Sequence, residues 1–134
     1  MKKILIVEDD TFVSRMYGRA FKLDGYETEF MTDGESALNR LKTGLDLPSV
    51  IIMDIAMPKM NGYNLLENIK VDERLKNIPV AILTNSATEE EAKRFMKLGA
   101  DLYLIKIQHS SKDLVQKIND LLDNRKGAGT VDKN

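Results

Sequence analysis

Four short stretches bring together side chains that could do chemistry: Glu8, Asp9 and Asp10 in "ILIVEDD", Asp54 in "VIIMDIAMPKMNG", Thr84 in "AILTNSA" and Lys106 in "DLYLIK". Taken singly, each has an ordinary role. An aspartate before a helix is a cap, a threonine is a turn residue, and a lysine is a solvated charge. Taken together, several carboxylates in one place repel one another and raise each other's pKa unless a cation is present. A hard divalent ion such as magnesium takes oxygen ligands and tolerates one or two carboxylates together with phosphate and water. In such a set an ammonium from Lys106 and a hydroxyl from Thr84 can each meet a phosphoryl oxygen. Asp54 can then act as a carboxylate nucleophile, forming an aspartyl-phosphate by in-line attack.

These residues meet only if the elements carrying them lie side by side, and the spacing of apolar residues requires that. Ile4–Val7, Val50–Met53, Val80–Leu83 and Leu102–Ile105 are short apolar runs without alternation, as in strands covered on both faces. A more polar segment, Glu27–Met31, alternates like an edge strand. Helical patterns separate the five. Phe12, Val13, Met16, Tyr17, Ala20 and Phe21 form one stripe, and Ala37, Leu38 and Leu41 a second. Tyr63, Leu65, Leu66 and Ile69 form a third, Ala92, Phe95, Met96 and Leu98 a fourth, and Leu114, Val115, Ile118, Leu121 and Leu122 a fifth. Gly25, Gly44 and Gly99 mark helix ends, and Asp33 can cap the second helix. Thr88 with Glu91, and Ser110 with Asp113, have capping-box spacing. Alternating strands and helices predict an α/β fold with a doubly wound parallel sheet. In such sheets ligands bind beyond the carboxyl ends of the strands, which is where Glu8, Asp9, Asp54, Thr84 and Lys106 stand. Met57-Pro58 and Asn61-Gly62 turn the chain sharply away after Asp54.

At 134 residues the chain fits one domain able to bury a core without staples. It is 43% hydrophobic and 31% charged, too apolar for a disordered chain. There is no run of transmembrane length and no signal-like start, so a cytoplasmic location without membrane attachment is expected. The absence of cysteine excludes disulfides and thiolate chemistry. A net charge of -1 gives no general attraction to nucleic acid, and no direct nucleic-acid binding is expected. Residues 1–125 are expected to form the domain and residues 126–134, rich in glycine and without apolar period, a flexible tail or linker.

The four motifs in this order resemble the response-regulator receiver domain of two-component signalling, over essentially Lys2–Asn124. The resemblance implies a five-stranded sheet of order 2-1-3-4-5, the flavodoxin-like (βα)5 arrangement, which a chemotaxis receiver exemplifies. It implies Asp54 as phosphoacceptor, and Glu8, Asp9, Asp54 and the Ala56 carbonyl as holders of Mg2+ or Mn2+. Thr84 and Lys106 would bind the phosphoryl group, and Tyr103 would be the switch aromatic. The implied donor is a sensor histidine kinase or histidine phosphotransfer protein, and the implied output surface is the fourth helix, fifth strand and fifth helix. The chain would be a monomer or a phosphorylation-dependent dimer. It would be a regulatory domain that catalyses only its own phosphorylation and dephosphorylation.

Three positions depart from the family pattern. Ile107 follows Lys106 where proline is usual, Asn85 stands where a small residue is common, and Ala56 offers no polar side chain to an attacking water. Altered lifetime of the aspartyl-phosphate is expected. Two other functions stay open on the residues: an interaction module of this fold that is not phosphorylated, and a phosphohydrolase with an aspartate nucleophile. The second would want an acid where Ala56 stands and a substrate cap for which the length leaves scarcely any room. His109 is expected at the surface, and Asp10 as a cap.

Overall fold

The computed structural model describes residues 2–85, 88–106 and 109–126. Among these residues five strands and five helices alternate: β1 (Lys3–Val7), α1 (Thr11–Leu23), β2 (Glu27–Met31), α2 (Gly34–Lys42), β3 (Val50–Met53), α3 (Gly62–Val71), β4 (Val80–Thr84), α4 (Glu89–Leu98), β5 (Leu102–Ile105) and α5 (Ser111–Lys126). All pairings are parallel and the order is β2-β1-β3-β4-β5, as expected.

The continuous apolar runs have their cause in the two-sided burial of the sheet. Every residue of β1, β3 and β4 is buried. Successive side chains point to opposite faces. Leu5, Val7, Ile51, Met53, Val80 and Ile82 pack with Leu41, Leu65, Leu66, Ile69 and Phe95 from α2, α3 and α4. Ile4, Ile6, Val50, Ile52, Ala81 and Leu83 pack on the other face with Tyr17, Phe21, Leu114 and Ile118 from α1 and α5. Both edge strands are only partly covered: the burial of β2 does not follow its alternating sequence, with Phe30 42% exposed, and β5, read as a strand covered on both faces, is only partly buried along its length because it closes the other edge. Strand β2 is pinned at its start by Lys3, whose Nζ lies 2.7 Å from Asp46 and 3.2 Å from Glu29, while Arg40 Nε lies 2.6 Å from the same Glu29.

Two helical stripes differ from expectation. Phe12 is 75% exposed and Met16 43% exposed. The buried residues of α1 are Ser14, Tyr17, Gly18 and Phe21. The inward face thus includes a small hydroxyl residue and a glycine, and the apolar stripe is wider than the sheet can cover. Gly18 is small because the Phe30 ring from β2 lies against it, where any Cβ would collide with that ring. On α4, Met96 is 45% exposed and Phe95 is the buried anchor.

The caps are largely as read. Asp10 accepts from the Phe12 and Val13 amides, Asp33 from Ser36, and Thr88 from Glu91. Gly99 closes α4 with φ 123°, in the left-handed region that glycine adopts without cost. Neither capping box is reciprocal: Glu91 turns its carboxylate to the Tyr103 hydroxyl, and Asp113 faces His109. His109 is itself mostly covered, with a side chain 15% exposed. Helix α5 continues through Lys126, the first residue expected in the tail. Ile107 and residues 127–134 lie outside the described residues.

Candidate functional site

Strand register sets the site. Val7 pairs with Met53, so Glu8 and Asp54 leave adjacent strands at the same level. The Asp54 amide still donates to the Val7 carbonyl at 3.0 Å, which fixes the backbone of the aspartate to β1. Met53 pairs with Ile82 and Thr84 pairs with Ile105, so Thr84 emerges one residue beyond the level of the acids and Lys106 two. Carboxylate oxygens of Glu8, Asp9 and Asp54 all lie within 4.8 Å of one another.

Lys106 closes the group from β5. Its Nζ is 2.6 Å from Glu8 Oε1 and 3.6 Å from Asp54 Oδ2, so the closer partner is the glutamate. Both ends of the Glu8–Lys106 pair are nearly buried, at 5% and 10% side-chain exposure. Glu8 also accepts from the Asp10 amide at 3.1 Å, and Asp54 Oδ1 accepts from the Ile55 amide at 2.8 Å. Asp9 is exposed, Asp54 half-buried, and Thr84 buried at the end of β4.

The electrostatics follow from burial and crowding. Burial pushes the Glu8 carboxyl above its ordinary value, opposed by the Lys106 hydrogen bond and reinforced by the Asp54 charge. Burial likewise raises Asp54, where Asp9 adds repulsion and Lys106 attraction. Burial alone would lower the Lys106 ammonium, but the Glu8 hydrogen bond and the Asp54 charge outweigh it and hold it raised. Three carboxylates face one ammonium, leaving an excess of negative charge. That donor set of oxygens is what a hard divalent cation requires.

The loop after Asp54 depends on one close approach. A Cβ at Gly62 would stand 2.5 Å from the Asp54 carbonyl oxygen and 2.9 Å from the Ile55 Cα. Glycine lets the Gly62 amide donate to the Ile55 carbonyl at 2.7 Å, while Asn61 caps α3 through the Asn64 amide. The turn read from Asn61-Gly62 thus acts directly on the backbone that holds the aspartate.

The structure brings together Glu8, Asp9, Asp54 and Lys106, with Thr84 at the adjoining strand end. Ala56 is exposed, and its amide contributes to holding the Asp54 carboxylate. Tyr103 stands on β5, its hydroxyl donating to Glu91 Oε1 at 3.1 Å. Its own pKa is pushed up to about 12 by burial and by that carboxylate. Two neighbours were not legible from spacing. Tyr17 reads as a core residue of α1, yet it feels the charges of Lys106, Glu8 and Asp54. Glu91 reads as a capping residue, yet it holds Tyr103.

The match to known proteins agrees with this geometry. The family model described as the response regulator receiver domain matches residues 4–119. The chain belongs to the response regulator receiver domain family. Among relatives, this receiver domain is 34% identical over 124 residues to a probable methanogenesis regulatory protein, FilR2, of Methanothrix harundinacea, covering 88% of the chain and 79% of the relative. It is 32% identical over 126 residues to the response regulator SaeR of Staphylococcus aureus, covering 94% of the chain but 53% of SaeR. The receiver domain thus spans about half the length of several curated relatives. Among solved structures, the Mn2+-bound form of response regulator Rcp1 superposes with a TM-score of 0.77 at 29% identity, covering 100% of this chain and 99% of that one. Among the described residues of the receiver domain, no helix is long and apolar enough to cross a membrane.

Proposed function

We propose that this receiver domain is a phosphorylation-activated switch in which Asp54 accepts a phosphoryl group from a phosphohistidine donor. The observation that carries this reading is the convergence of Glu8, Asp9 and Asp54 within 4.8 Å, with Lys106 closing the group. In the transfer, a carboxylate oxygen of Asp54 attacks phosphorus in line; the P–O bond to Asp54 forms as the P–N bond to imidazole breaks, and the imidazole keeps the electron pair. Glu8, Asp9, Asp54 and the Ala56 carbonyl would hold Mg2+ or Mn2+. When bound, that ion supplies charge neutralisation on the phosphoryl oxygens. The Mn2+-bound form of Rcp1 supports a divalent ion in this fold.

The remaining work falls to the chain's own groups. The Ile55 and Ala56 amides orient the Asp54 carboxylate, and the β1–β3 ladder holds its backbone. Lys106 turns from Glu8 toward the incoming oxygen, a short movement given that Asp54 is already 3.6 Å away. Thr84 supplies a hydroxyl to a second oxygen, and Tyr103 responds to its displacement. A sensor histidine kinase or phosphotransfer protein would dock beside α1, where Phe12 and Met16 are exposed one and two turns beyond Asp9. The adduct adds roughly -1.5 to -2 charge, enough to bias a two-state output surface.

The test is intact mass after incubation with acetyl phosphate, with and without magnesium. A magnesium-dependent gain of one phosphoryl group that is lost in Asp54→Asn is expected. Labelling that persists in the variant overturns the assignment of Asp54.

A further inference from the structure

Helix α4 packs on the core through Phe95, with the partly buried Leu98 beside it. Its single buried residue is Phe95. The Phe95 ring lies between two tyrosines: Tyr63 in the first turn of α3, at 5.3 Å and 80°, and Tyr103 on β5, at 5.7 Å and 41°. Glu91 precedes Phe95 by four residues, so it lies on the same side of α4 one turn earlier. There it accepts the Tyr103 hydroxyl. Arg94, next to Phe95, places its guanidinium 4.6 Å from the centre of the Tyr63 ring. Each tyrosine is therefore held by two residues of α4, and Phe95 is common to both.

These contacts are directional. Edge-on and tilted ring pairs have preferred geometries, and a cation over a ring face is likewise sensitive to position. A displacement of Tyr103 removes the Glu91 hydrogen bond and one wall of the Phe95 pocket together. Phe95, as the only buried anchor of α4, cannot move without changing its contact with Tyr63. The far end of this row returns to the phosphoacceptor loop, because Tyr63 directly follows Gly62, whose backbone packs on the Asp54 carbonyl.

We propose that Glu91 and Phe95 are positioning residues that couple Tyr103 to Tyr63, so that the state of Asp54 is read at Tyr63 and Arg94 on the α3–α4 face as well as on β5. The coupling between the tyrosines stands on ring and hydrogen-bond geometry alone, and its link to Asp54 rests on the switch function proposed above. Glu91 thereby has a role that its place in a capping sequence conceals.

The test uses the full chain with tyrosine labelled by carbon-13 at the ring ε positions. The four resonances, from Tyr17, Tyr26, Tyr63 and Tyr103, are assigned by single Tyr→Phe variants. Tyr26, paired with Phe21 on the opposite face of the sheet, reports an intact fold. In Glu91→Ala, with nothing added, the Tyr103 resonance is expected to move and the Tyr63 resonance to move with it, while Glu91→Gln, which keeps an acceptor oxygen, restores both. Movement of Tyr103 without Tyr63 overturns the coupling. Magnesium with beryllium fluoride, a mimic of the aspartyl-phosphate, is expected to shift Tyr103 and Tyr63 in the native chain, and Phe95→Leu is expected to abolish the Tyr63 shift while leaving that of Tyr103. A Tyr63 shift that survives Phe95→Leu overturns the role of Phe95. No shift of either tyrosine on addition of the mimic overturns the link to Asp54, an outcome separate from the Glu91 result.

Discussion

Asp54 and Glu8 sit in the fold as raised carboxyls, and the sign of their effect on stability follows. Their ordinary values are 3.8 and 4.5, and burial holds both higher in the native state. Between the ordinary and the raised values the unfolded chain has released protons that the native chain retains. Stability is then fully present below pH 3.8 to 4.5 and falls as pH rises through the raised values. Removing the Asp54 charge should relieve this, so Asp54→Asn is expected to be more stable than the native chain at pH 7, by about 1 kcal/mol. Urea midpoints at pH 4 and pH 7 check it: the native midpoint should drop more between them than that of the variant, and parallel drops would refute the assignment. Lys106 has the opposite character. Lys106→Met leaves Glu8 buried without its cation and should cost about 3 kcal/mol at pH 7, with partial recovery at pH 4 as Glu8 takes a proton. Urea unfolding of that variant at the two pH values shows whether the Glu8–Lys106 contact exists in solution. Which carboxylate Lys106 prefers was not legible in the sequence, because strand ends give proximity but the 1 Å difference between 2.6 and 3.6 Å is a matter of side-chain packing.

At the scale of elements, legibility followed the number of faces that each element buries. β1, β3 and β4 are covered twice, so their apolar runs admit one interpretation, and the acids that end them stand together by topology. Helix α1 is covered once, by a sheet whose edge leaves a flank open. Counting apolar residues therefore placed Phe12 and Met16 inward, while the positions that do turn inward include Ser14 and Gly18, which no hydrophobic period can flag. The exposed pair has a use in the proposed transfer. Phe12→Ala with Met16→Ala should change stability by no more than about 0.5 kcal/mol, since both lie at the surface. It should leave labelling by acetyl phosphate intact and slow transfer from a phosphohistidine-bearing protein by about tenfold, a loss of about 1.4 kcal/mol at a contact centre. Radiolabel transfer timed with both donors separates the two, and equal rates would remove α1 from the docking surface. Gly62 makes a complementary case within the β3–α3 loop. Gly62→Ala brings a methyl group against the Asp54 carbonyl, so the loop must shift, at a cost of about 2 kcal/mol in urea unfolding together with slowed labelling by either donor.

For the whole molecule, the sheet edge is a place where folding assembles like charges that the unfolded chain keeps apart. The core makes this possible: two apolar layers clamp five parallel strands, and the register of β1 against β3 leaves Glu8 and Asp54 no way to separate. A divalent ion would then bind the native state and not the unfolded one, so its affinity appears directly as stability. At a free concentration of about 100 times Kd the gain is about 2.7 kcal/mol. Asp9 is the residue for testing this, because it is exposed and its side chain supports no packing. In the presence of a chelator Asp9→Asn should match the native chain or slightly exceed it, since one repelling charge is gone. With magnesium in excess the order should reverse, the native urea midpoint rising while that of Asp9→Asn stays nearly still. Equal gains in both chains would mean that the ion acts by general screening, and that the three carboxylates are neighbours without being a metal site.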